Sequence, residues 1–364
     1  MRRSFVLRQC AMLLGNQPRL SLALLPLLQW LWPGYRPGFY RARLLSVVQE
    51  SRGSYSLWLQ PPASWPGFVP GQSVELGTEL NGRWLTRRFS ISSSLQDWQQ
   101  KGQIRLTMKL NPYGVMTRAL PALLGAQSGL SLSISKAEGA FVWAEPTQAS
   151  LMLAAGSGIT PLASMLLSQR CWTAPATLLY YVRERSEAAL LAELEQLAAS
   201  QPFFSVQLVE TATQGRCSFA SLLPGQKQFT QLLSCGPFGF TEKALQFGAA
   251  LGLEAGQCQR EFFRLPAPAE SEKTGNWPVR WHTAEGECQT LGGATEPLLR
   301  QAEQSGLQPR FGCRIGVCYQ CVCQKESGVV LNLRTGQLST AGAEQIQLCV
   351  SVPQSALSIR LGDA

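Results

Sequence analysis

Four cysteines near the C-terminus have the spacing needed to hold an iron–sulfur cluster. Cys313, Cys318 and Cys321 form a Cys-x4-Cys-x2-Cys run, and Cys349 can supply a distant fourth thiolate. This is the ligand spacing of a [2Fe–2S] cluster, whereas zinc sites favour paired Cys-x2-Cys units. Gly316 lets the backbone curl so that its N–H groups point at an anionic cluster. We predict a [2Fe–2S] cluster on these thiolates; a zinc knuckle and buried free thiols are the alternatives.

The other cysteines and the single histidine narrow the kind of site. His282 is the only histidine, which excludes a Rieske centre because that centre needs two. The eleven cysteines are odd in number and unevenly spaced in a long chain, unlike the disulfide framework of a small secreted protein. Cys323, two residues past the third predicted ligand, is interpreted as a structural thiol. A cluster of this kind indicates the reducing cytoplasm.

Two short motifs in the first half of the chain could bind a phosphorylated cofactor. Arg87-Arg-Phe-Ser90 follows the turn Pro70-Gly-Gln72, and Gly114-Val-Met-Thr117 precedes an apolar helical run. A hydroxyl that caps a helix N-terminus favours an anion such as a pyrophosphate. Taken alone, each has an ordinary alternative, a strand serine in the first motif and a plain helix cap in the second.

A third glycine motif lies at the end of a buried strand. Ala154-Ala-Gly-Ser-Gly-Ile-Thr-Pro161 differs from Gly-x-Gly-x-x-Gly, yet its two glycines also allow close backbone approach to a pyrophosphate. Pro161 suits the first turn of the helix that follows. Cys235-Gly236-Pro237 ends a later strand, and its thiol is either a site residue or an ordinary buried cysteine.

If the glycine motif binds a nicotinamide dinucleotide, the segment after the second strand of this region indicates which one. An acidic residue ending that strand would select the NAD ribose. Here Arg183, Arg185 and Ser186 follow Tyr180-Tyr-Val instead. Guanidinium groups suit a 2′-phosphate, so we predict NADPH, with NADH as the alternative. Solvated surface arginines would give the same pattern.

The elements that must position these motifs fall into three domains. Residues 38–144 contain short alternating strands such as 103–109, typical of an antiparallel barrel. Residues 145–263 alternate strands with helices, including a helix expected over 187–199, which indicates a parallel sheet. Residues 264–277 are rich in Pro, Ala and charge and are expected to be a linker, followed by a cluster domain over 278–364.

Residues 1–37 form a basic, hydrophobic leader that stands apart. Seven arginines precede the first acidic residue, Glu50, and the remainder has 25 basic against 23 acidic residues. Five of these arginines lie in the leader and two lie just after it, so the excess positive charge is concentrated at the start of the chain, and we expect no nucleic-acid partner. The Leu- and Trp-rich run 20–32 is too short to span a membrane. We expect residues 1–36 either to lie on anionic lipid or to pack as a helix against a domain or partner.

In residues 38–364 the motifs together resemble the ferredoxin–NADP reductase superfamily. That resemblance implies a multidomain β and α/β fold: an antiparallel flavin-binding β-barrel, a parallel α/β nicotinamide-binding domain and a C-terminal β-grasp ferredoxin domain. It implies that Arg87 pairs with the FAD diphosphate, Phe89 lies along the flavin, and Ser90 hydrogen-bonds the flavin edge near N5. The other residues implied to bind cofactors are Gly114, Met116, Thr117, Gly156, Gly158, Thr160, Pro161, Cys235, Gly236 and Phe263.

The same resemblance implies an electron relay. Ser90 and Cys235 would lie where hydride passes from NAD(P)H to FAD, and single electrons would then reach the cluster and an external acceptor. We expect that acceptor to be a membrane fatty-acid desaturase or hydroxylase, because the leader suits a membrane surface. The alternatives are a soluble aromatic-ring or steroid oxygenase and, in another class, a non-catalytic electron carrier or redox sensor. The expected location is the cytoplasm, at the membrane face if the leader binds lipid.

Overall fold

The structure is a computed structural model. It describes residues 38–80, 83–110, 116, 131–216, 218–223, 229–263, 275–283, 286–293, 295–312, 314, 316, 319–335 and 337–361. Several predicted features lie outside the described residues, namely the leader 1–37, most of the linker, Gly114, Thr117, Cys313 and Cys318.

The described part of the first domain forms a six-stranded antiparallel sheet in the order β4-β3-β6-β1-β2-β5. Its elements are β1 Phe39–Ser51, β2 Ser54–Gln60, β3 Ser73–Leu80, β4 Arg83–Ser90, helix α1 Leu95–Lys101, β5 Ile104–Lys109 and β6 Ser131–Ser135. The ends of the sheet meet at a bridge between Ile91 and Leu106, which closes it into the predicted barrel. Ile104, Leu106 and Met108 alternate into its apolar core, as their spacing predicts.

The second domain has a parallel five-stranded sheet in the order β11-β10-β7-β8-β9. Its elements are β7 Ser150–Ala155, α2 Ile159–Ser168, β8 Ala176–Val182, α3 Leu191–Ser200, β9 Phe204–Glu210, β10 Gln231–Cys235, α4 Phe238–Ala250 and β11 Cys258–Glu261. Single 3₁₀ turns cover Gly156–Gly158, Arg185–Glu187, Ala220–Leu222 and Ala255–Gln257. The predicted parallel sheet is confirmed. Since β7 lies between β8 and β10, the chain changes direction there, and a crevice opens beyond the strand ends.

Helix α3 begins later than its apolar spacing predicts. The spacing predicts a helix over 187–199, but Leu190 has a left-handed φ of 61° and helix α3 starts at Leu191. Glu187 instead ends a 3₁₀ turn, and its carboxylate lies 2.6 Å from Lys109 Nζ of the barrel. A contact with the neighbouring domain thus accompanies the interruption of the helix, which local periodicity does not report.

The third domain has a mixed sheet in the order β13-β12-β18-β14-β16 and a separate pair β15-β17. Its elements are β12 Asn276–Thr283, β13 Gly286–Gly293, α5 Leu298–Gln304, β14 Val322–Ser327, β15 Val330–Asn332, β16 Glu344–Gln347, β17 Ser351–Pro353 and β18 Leu357–Arg360. β12 starts inside the predicted linker because Asn276 and Trp277 already pair with β13. Within the described residues, no helix is both long and apolar enough to cross a membrane.

Polar contacts fasten the barrel to the second domain. Arg105 is 3% exposed and donates to both Glu193 carboxylate oxygens, at 2.5 and 3.0 Å. The hydroxyl of Ser164 donates to the carbonyl of Ser93 at 2.7 Å, and both groups are buried. Buried contacts of this kind hold the two domains in one arrangement, which fixes the crevice between them.

Candidate functional site

A cavity of about 2110 Å³ lies where the three domains meet. Its wall includes β4 of the barrel, the loops after β7 and β10, the end of β11, and two arginines of the third domain. Pockets for one drug-sized ligand are usually on the order of 300–1,000 Å³. This cavity therefore has room for more than one cofactor, one beside the barrel and one beside the parallel sheet.

The barrel side of the cavity is formed by consecutive residues of β4. Arg87, Arg88, Phe89 and Ser90 all line it, and the buried Met116 lies on the same wall. Arg87 donates to the Thr86 carbonyl at 2.7 Å. Burial, with the nearby Arg314 charge, lowers the pKa of the Arg87 guanidinium, and Glu303 opposes this change. The first motif thus presents a cation, a ring and a hydroxyl along one strand.

Buried polar atoms without a partner border this part of the cavity. Among the described residues they include the Ser90 hydroxyl, Nε of Arg88 and Oε2 of Glu261. Ser90 is 4% exposed. Buried polar atoms are normally hydrogen-bonded, so unpaired ones at a cavity wall fit a polar ligand. The Ser90 hydroxyl and the Arg87 cation together suit the polar ring edge and the diphosphate of a flavin dinucleotide.

The glycine motif after β7 has two physically different glycines. Gly156 lines the cavity with a left-handed φ of 55°, and a Cβ there would meet nothing within 4 Å. At Gly158 a Cβ would lie 2.1 Å from the Cys235 carbonyl oxygen. Gly156 therefore provides the turn and an open surface, whereas Gly158 allows the loops after β7 and β10 to pack backbone against backbone. Thr160 lines the cavity, and its hydroxyl donates to the Ser157 carbonyl at 3.0 Å.

The turn after β10 places Gly236 at the cavity wall, but Cys235 is fully buried and does not line it. Burial, and then the charge of Glu261, raises the pKa of the Cys235 thiol well above its ordinary value. At neutral pH Cys235 is therefore a thiol rather than a thiolate. Pro161 and Gly158 are likewise buried parts of the support, and Phe263 reaches the wall from the chain after β11.

Glu261 is a cavity residue that the predicted set of site residues does not include. It ends β11, and burial raises the pKa of its carboxyl to about 7, against the opposing charges of Arg88 and Arg334. The three groups come from three domains. Arg216 and Lys243 also line the cavity and were missed. Glu261 lies two residues before the predicted site residue Phe263, and this closeness is a signal for it, but no local pattern identifies the other two.

The residues predicted to select the nicotinamide separate into two groups. Arg183 is exposed and lines the cavity. Arg185 lies outside the lining, and its guanidinium donates to Glu195 at 2.6 Å. The Ser186 carbonyl accepts from the Arg52 N–H at 2.7 Å, which ties this loop to the barrel. Arg183 is therefore the one of these three that faces the cavity.

Two of the four predicted cluster ligands are described, and they lie together. Cys321 and Cys349 are each 3% exposed in the core of the third domain, and the Cys349 N–H donates to Cys321 Sγ at 3.5 Å. Among the described residues, no group of three or more Cys, His, Asp or Glu could hold a metal. Cys313 and Cys318 lie outside that set.

Three described residues between the first and third predicted ligands have a left-handed backbone. Arg314, Gly316 and Tyr319 have left-handed φ values of 60°, 75° and 57°. Arg334 and Gln347 both donate to the Gly316 carbonyl, at 2.7 and 3.1 Å. Left-handed residues are a component of anion-binding backbone concavities. Gly316 therefore has the left-handed backbone that favours glycine, and two non-glycine residues share it.

The fold and cavity define an oxidoreductase that binds FAD and NAD(P)H. Residues 45–143 match the oxidoreductase FAD-binding domain family, and residues 152–246 match the oxidoreductase NAD-binding domain family. The chain is 30% identical over 318 residues to an NADPH oxidoreductase of Mycobacterium tuberculosis, covering 85% of this chain and 81% of that one. The chain thus belongs to the ferredoxin–NADP reductase superfamily, as the motifs predicted.

Other similar proteins are electron-transfer components. A vanillate O-demethylase oxidoreductase of Pseudomonas putida is 27% identical, over 66% of this chain and 79% of that one. The solved structure of phthalate dioxygenase reductase covers 89% of this chain and 98% of that one, with a TM-score of 0.61 and 20% identity. That structure shares the fold. Together with the family, these likenesses establish an NAD(P)H-dependent electron-transfer oxidoreductase.

Proposed function

We propose that this protein passes electrons from NADPH through FAD and a [2Fe–2S] cluster to an external oxygenase-type acceptor. The observation that carries the proposal is the convergence of three domains on one cavity. Ser90 of the barrel, Gly236 of the nucleotide domain and Arg314 of the cysteine loop all line it. Such convergence brings a flavin site, a nicotinamide site and a cysteine loop within one crevice.

The chemistry requires a cofactor that can divide an electron pair. FAD, when bound, accepts a hydride from NAD(P)H and releases the electrons singly, and a [2Fe–2S] cluster accepts one electron at a time. The protein's part is to bind and orient. Arg87 supplies a cation for the diphosphate, the Ser90 hydroxyl a hydrogen bond, and Gly156 and Gly236 a surface that lets the nicotinamide lie close. Cys235 supports that surface as a neutral thiol.

Several observations support a cluster in the third domain. In chain order its principal strands are arranged 2-1-5-3-4 with a helix against the sheet, the arrangement of a β-grasp ferredoxin fold. Cys321 and Cys349 are buried together, and Arg314, Gly316 and Tyr319 before them have left-handed backbones, which suit a turn around an anionic cluster. Phthalate dioxygenase reductase, which shares the fold, is a modular structure for electron transfer from pyridine nucleotides to [2Fe–2S]. We assign Cys313 and Cys318 as the remaining two ligands.

The preference for NADPH is argued from charge. Arg183, Arg216 and Lys243 line the cavity, and cations suit a 2′-phosphate. The Mycobacterium tuberculosis relative is an NADPH oxidoreductase.

Because a charge-assisted hydrogen bond is lost, the Arg183→Ala, Arg216→Ala double variant should lower kcat/KM for NADPH about tenfold or more and leave the NADH value nearly unchanged. Equal losses with both nucleotides would contradict the assignment.

One experiment tests the relay. The purified protein should show flavin and iron–sulfur bands, NADPH should bleach the flavin without oxygen, and a reduced-cluster paramagnetic signal should follow. Cys349→Ser should abolish that signal while leaving NADPH-dependent reduction of a dye by the flavin. Absence of bleaching would favour a non-catalytic carrier or sensor. Bleaching without a cluster signal would reject the cluster step.

The acceptor is a separate question. The relatives include a toluate 1,2-dioxygenase electron transfer component and a methane monooxygenase component, which supports an oxygenase-type acceptor. A membrane desaturase or hydroxylase is proposed only from the leader, and a soluble aromatic-ring oxygenase is the second candidate.

Deleting residues 1–36 should leave dye reduction intact and remove binding to anionic vesicles. Equal vesicle binding by the truncated protein would reject the membrane proposal.

A further inference from the structure

A hydrogen bond between described residues joins the cysteine loop to the barrel. Gln320 Nε2 donates to Oε2 of Glu75 at 2.9 Å, although the residues are 245 positions apart. Gln320 directly precedes Cys321, one of the predicted cluster ligands. Glu75 lies on β3, the strand that pairs with β4 along the flavin motif. The contact therefore connects the end of the cluster loop to the sheet that carries the flavin site.

Glu75 is a buried carboxyl acceptor. Its side chain is 7% exposed, and its backbone pairs with Arg88 across the β3-β4 ladder. Its second oxygen, Oε1, lies 3.8 Å from Arg88 Nη2, which also lies 3.3 Å from Glu138 Oε2. Hydrogen bonds to a charged acceptor are roughly twice as strong as neutral ones, and a fixed acceptor loses little entropy on pairing. Arg88 itself lines the cavity, so these contacts extend from Gln320 to the cavity wall.

Like charges also face each other at this interface. Arg314 of the cysteine loop lowers the pKa of Arg87, so the two guanidinium groups repel. Glu303 holds Arg314 through paired hydrogen bonds at 2.8 and 2.5 Å, and Phe311 packs against its guanidinium. Arg314 therefore cannot turn away without losing these contacts. The Gln320–Glu75 hydrogen bond works against this repulsion, together with the attraction of Glu303 for Arg87 and of Arg334 for Glu261.

We propose that Gln320 is a positioning residue, which docks the cluster loop on Glu75 in the arrangement used when an electron passes from the flavin to the cluster. This inference rests on the proposed function. In each transfer one electron leaves the reduced flavin and one enters the oxidised cluster. Gln320 touches neither nucleotide nor reacting atoms in this assignment, so its loss should slow that transfer and leave reduction of the flavin by NADPH unchanged.

The test uses the full-length protein loaded with FAD and cluster. Gln320→Glu places a carboxylate against Glu75, and Glu75→Gln removes the charged acceptor from the other domain. The double variant Glu75→Gln, Gln320→Glu exchanges the two groups and restores an amide-to-carboxylate hydrogen bond. Gln289→Glu is the matched control, because it makes the same charge change at an exposed residue far from Gln320. Gln289 lies on β13, one edge of the third-domain sheet, whereas Gln320 lies just before β14, which pairs with β16 at the other edge.

Rapid mixing with NADPH separates flavin bleaching from cluster reduction. We expect Gln320→Glu to slow cluster reduction about tenfold or more, with bleaching unchanged, and the double variant to recover most of the rate. Small-angle scattering should show a larger radius of gyration for Gln320→Glu and an unchanged one for Gln289→Glu. The visible spectrum checks that each variant retains its cluster, and Glu75→Gln tests the contact without altering the loop.

The outcomes separate this inference from the proposed function. If the wild-type protein shows no cluster reduction, the proposed relay is wrong. If the wild type reduces its cluster but Gln320→Glu and Glu75→Gln do so at the wild-type rate, the relay stands and the positioning role is overturned. If the variants slow bleaching and cluster reduction equally, their effect is structural and the positioning role is again rejected.

Discussion

At the scale of single residues, burial sets the chemical state of the site. Cys235 and Glu261 lie next to each other in the β10-β11 register, and burial is the first cause of the raised pKa of both side chains. The thiol is therefore protonated at neutral pH. The carboxyl, with a pKa of about 7, changes its charge in the physiological range. Near neutral pH the charge of Cys235 is therefore constant, whereas the charge of Glu261 changes.

Glu261 should make stability depend on pH. Its folded pKa of about 7 lies above the ordinary value of 4.5, so the folded protein holds a proton that the unfolded chain releases. The resulting stabilisation is complete below about pH 4.5 and is lost as the pH rises through about 7. Glu261→Gln should flatten this dependence, which is on the order of 3 kcal/mol. Denaturant unfolding at about pH 5 and about pH 8 measures the change.

The control for this prediction is Glu195→Gln, which removes the same charge from a side chain that is 43% exposed. It should retain the wild-type loss of stability between the two pH values. A wild-type protein whose free energy of unfolding is no lower at the higher pH than at the lower one would contradict the role assigned to Glu261.

At the scale of elements, a buried lysine holds the strand that leads away from the cysteine loop. Lys325 on β14 is fully buried, and its ammonium donates to the carbonyls of Gly328 at 2.8 Å, Thr340 at 3.0 Å and Gly342. Glu344 lies 3.3 Å away and supplies the opposite charge. A buried ammonium is tolerated only when it is fully paired. Lys325 thus joins the ends of the segment 328–342 to β14.

Lys325→Met should destabilise the third domain by about 3 kcal/mol, because three carbonyls and one carboxylate lose their shared donor. Since β14 begins one residue after Cys321, we also expect faster loss of the cluster on warming. Thermal unfolding and the decay of the visible spectrum measure the two effects. Lys101→Met, at a side chain that is 60% exposed, should change both by little. A stable cluster in Lys325→Met would contradict this account.

At the scale of the whole molecule, buried polar contacts join the barrel to the nucleotide domain, and no motif in the sequence of either domain predicts them. Arg105 lies between Trp58, whose ring centroid is 5.2 Å from its guanidinium carbon, and the carboxylate of Glu193. The Leu95 N–H donates to the Ser168 hydroxyl at 2.8 Å. A fixed arrangement of two domains reduces the entropy lost when two bound cofactors must meet.

Arg105→Met should therefore slow flavin reduction at saturating NADPH about tenfold while FAD stays bound, because the two binding halves lose a buried charge-assisted contact. Rapid mixing gives the rate, and the flavin content of the purified variant checks retention of FAD. Arg280→Met, at an exposed position on β12, is the control and should keep the wild-type rate. An unchanged rate in Arg105→Met would mean that other contacts suffice to align the domains.

Much of the fold could be predicted because it depends on local order along the chain. Alternation in 103–109 predicts a barrel strand, and strand–helix alternation after residue 150 predicts the parallel sheet; both are confirmed. The start of α3 could not be predicted, because Leu190 takes a left-handed φ three residues after Glu187, which contacts Lys109 of the barrel. Periodicity records which face of an element is apolar, but it carries no information about neighbouring domains.

The sequence by itself determined the chemical types at the site: the thiolate spacing of Cys313, Cys318 and Cys321, and the glycines that let a nucleotide approach. Only the tertiary structure decided which charged and polar groups act together. Arg185 matches the predicted pattern yet pairs with Glu195, whereas Arg216, which no pattern identified, lines the cavity. Motifs can be recognised in the sequence because the backbone geometry that they need depends on a few consecutive residues. Pairings between domains depend on how separate surfaces pack, and no short stretch of chain encodes that packing.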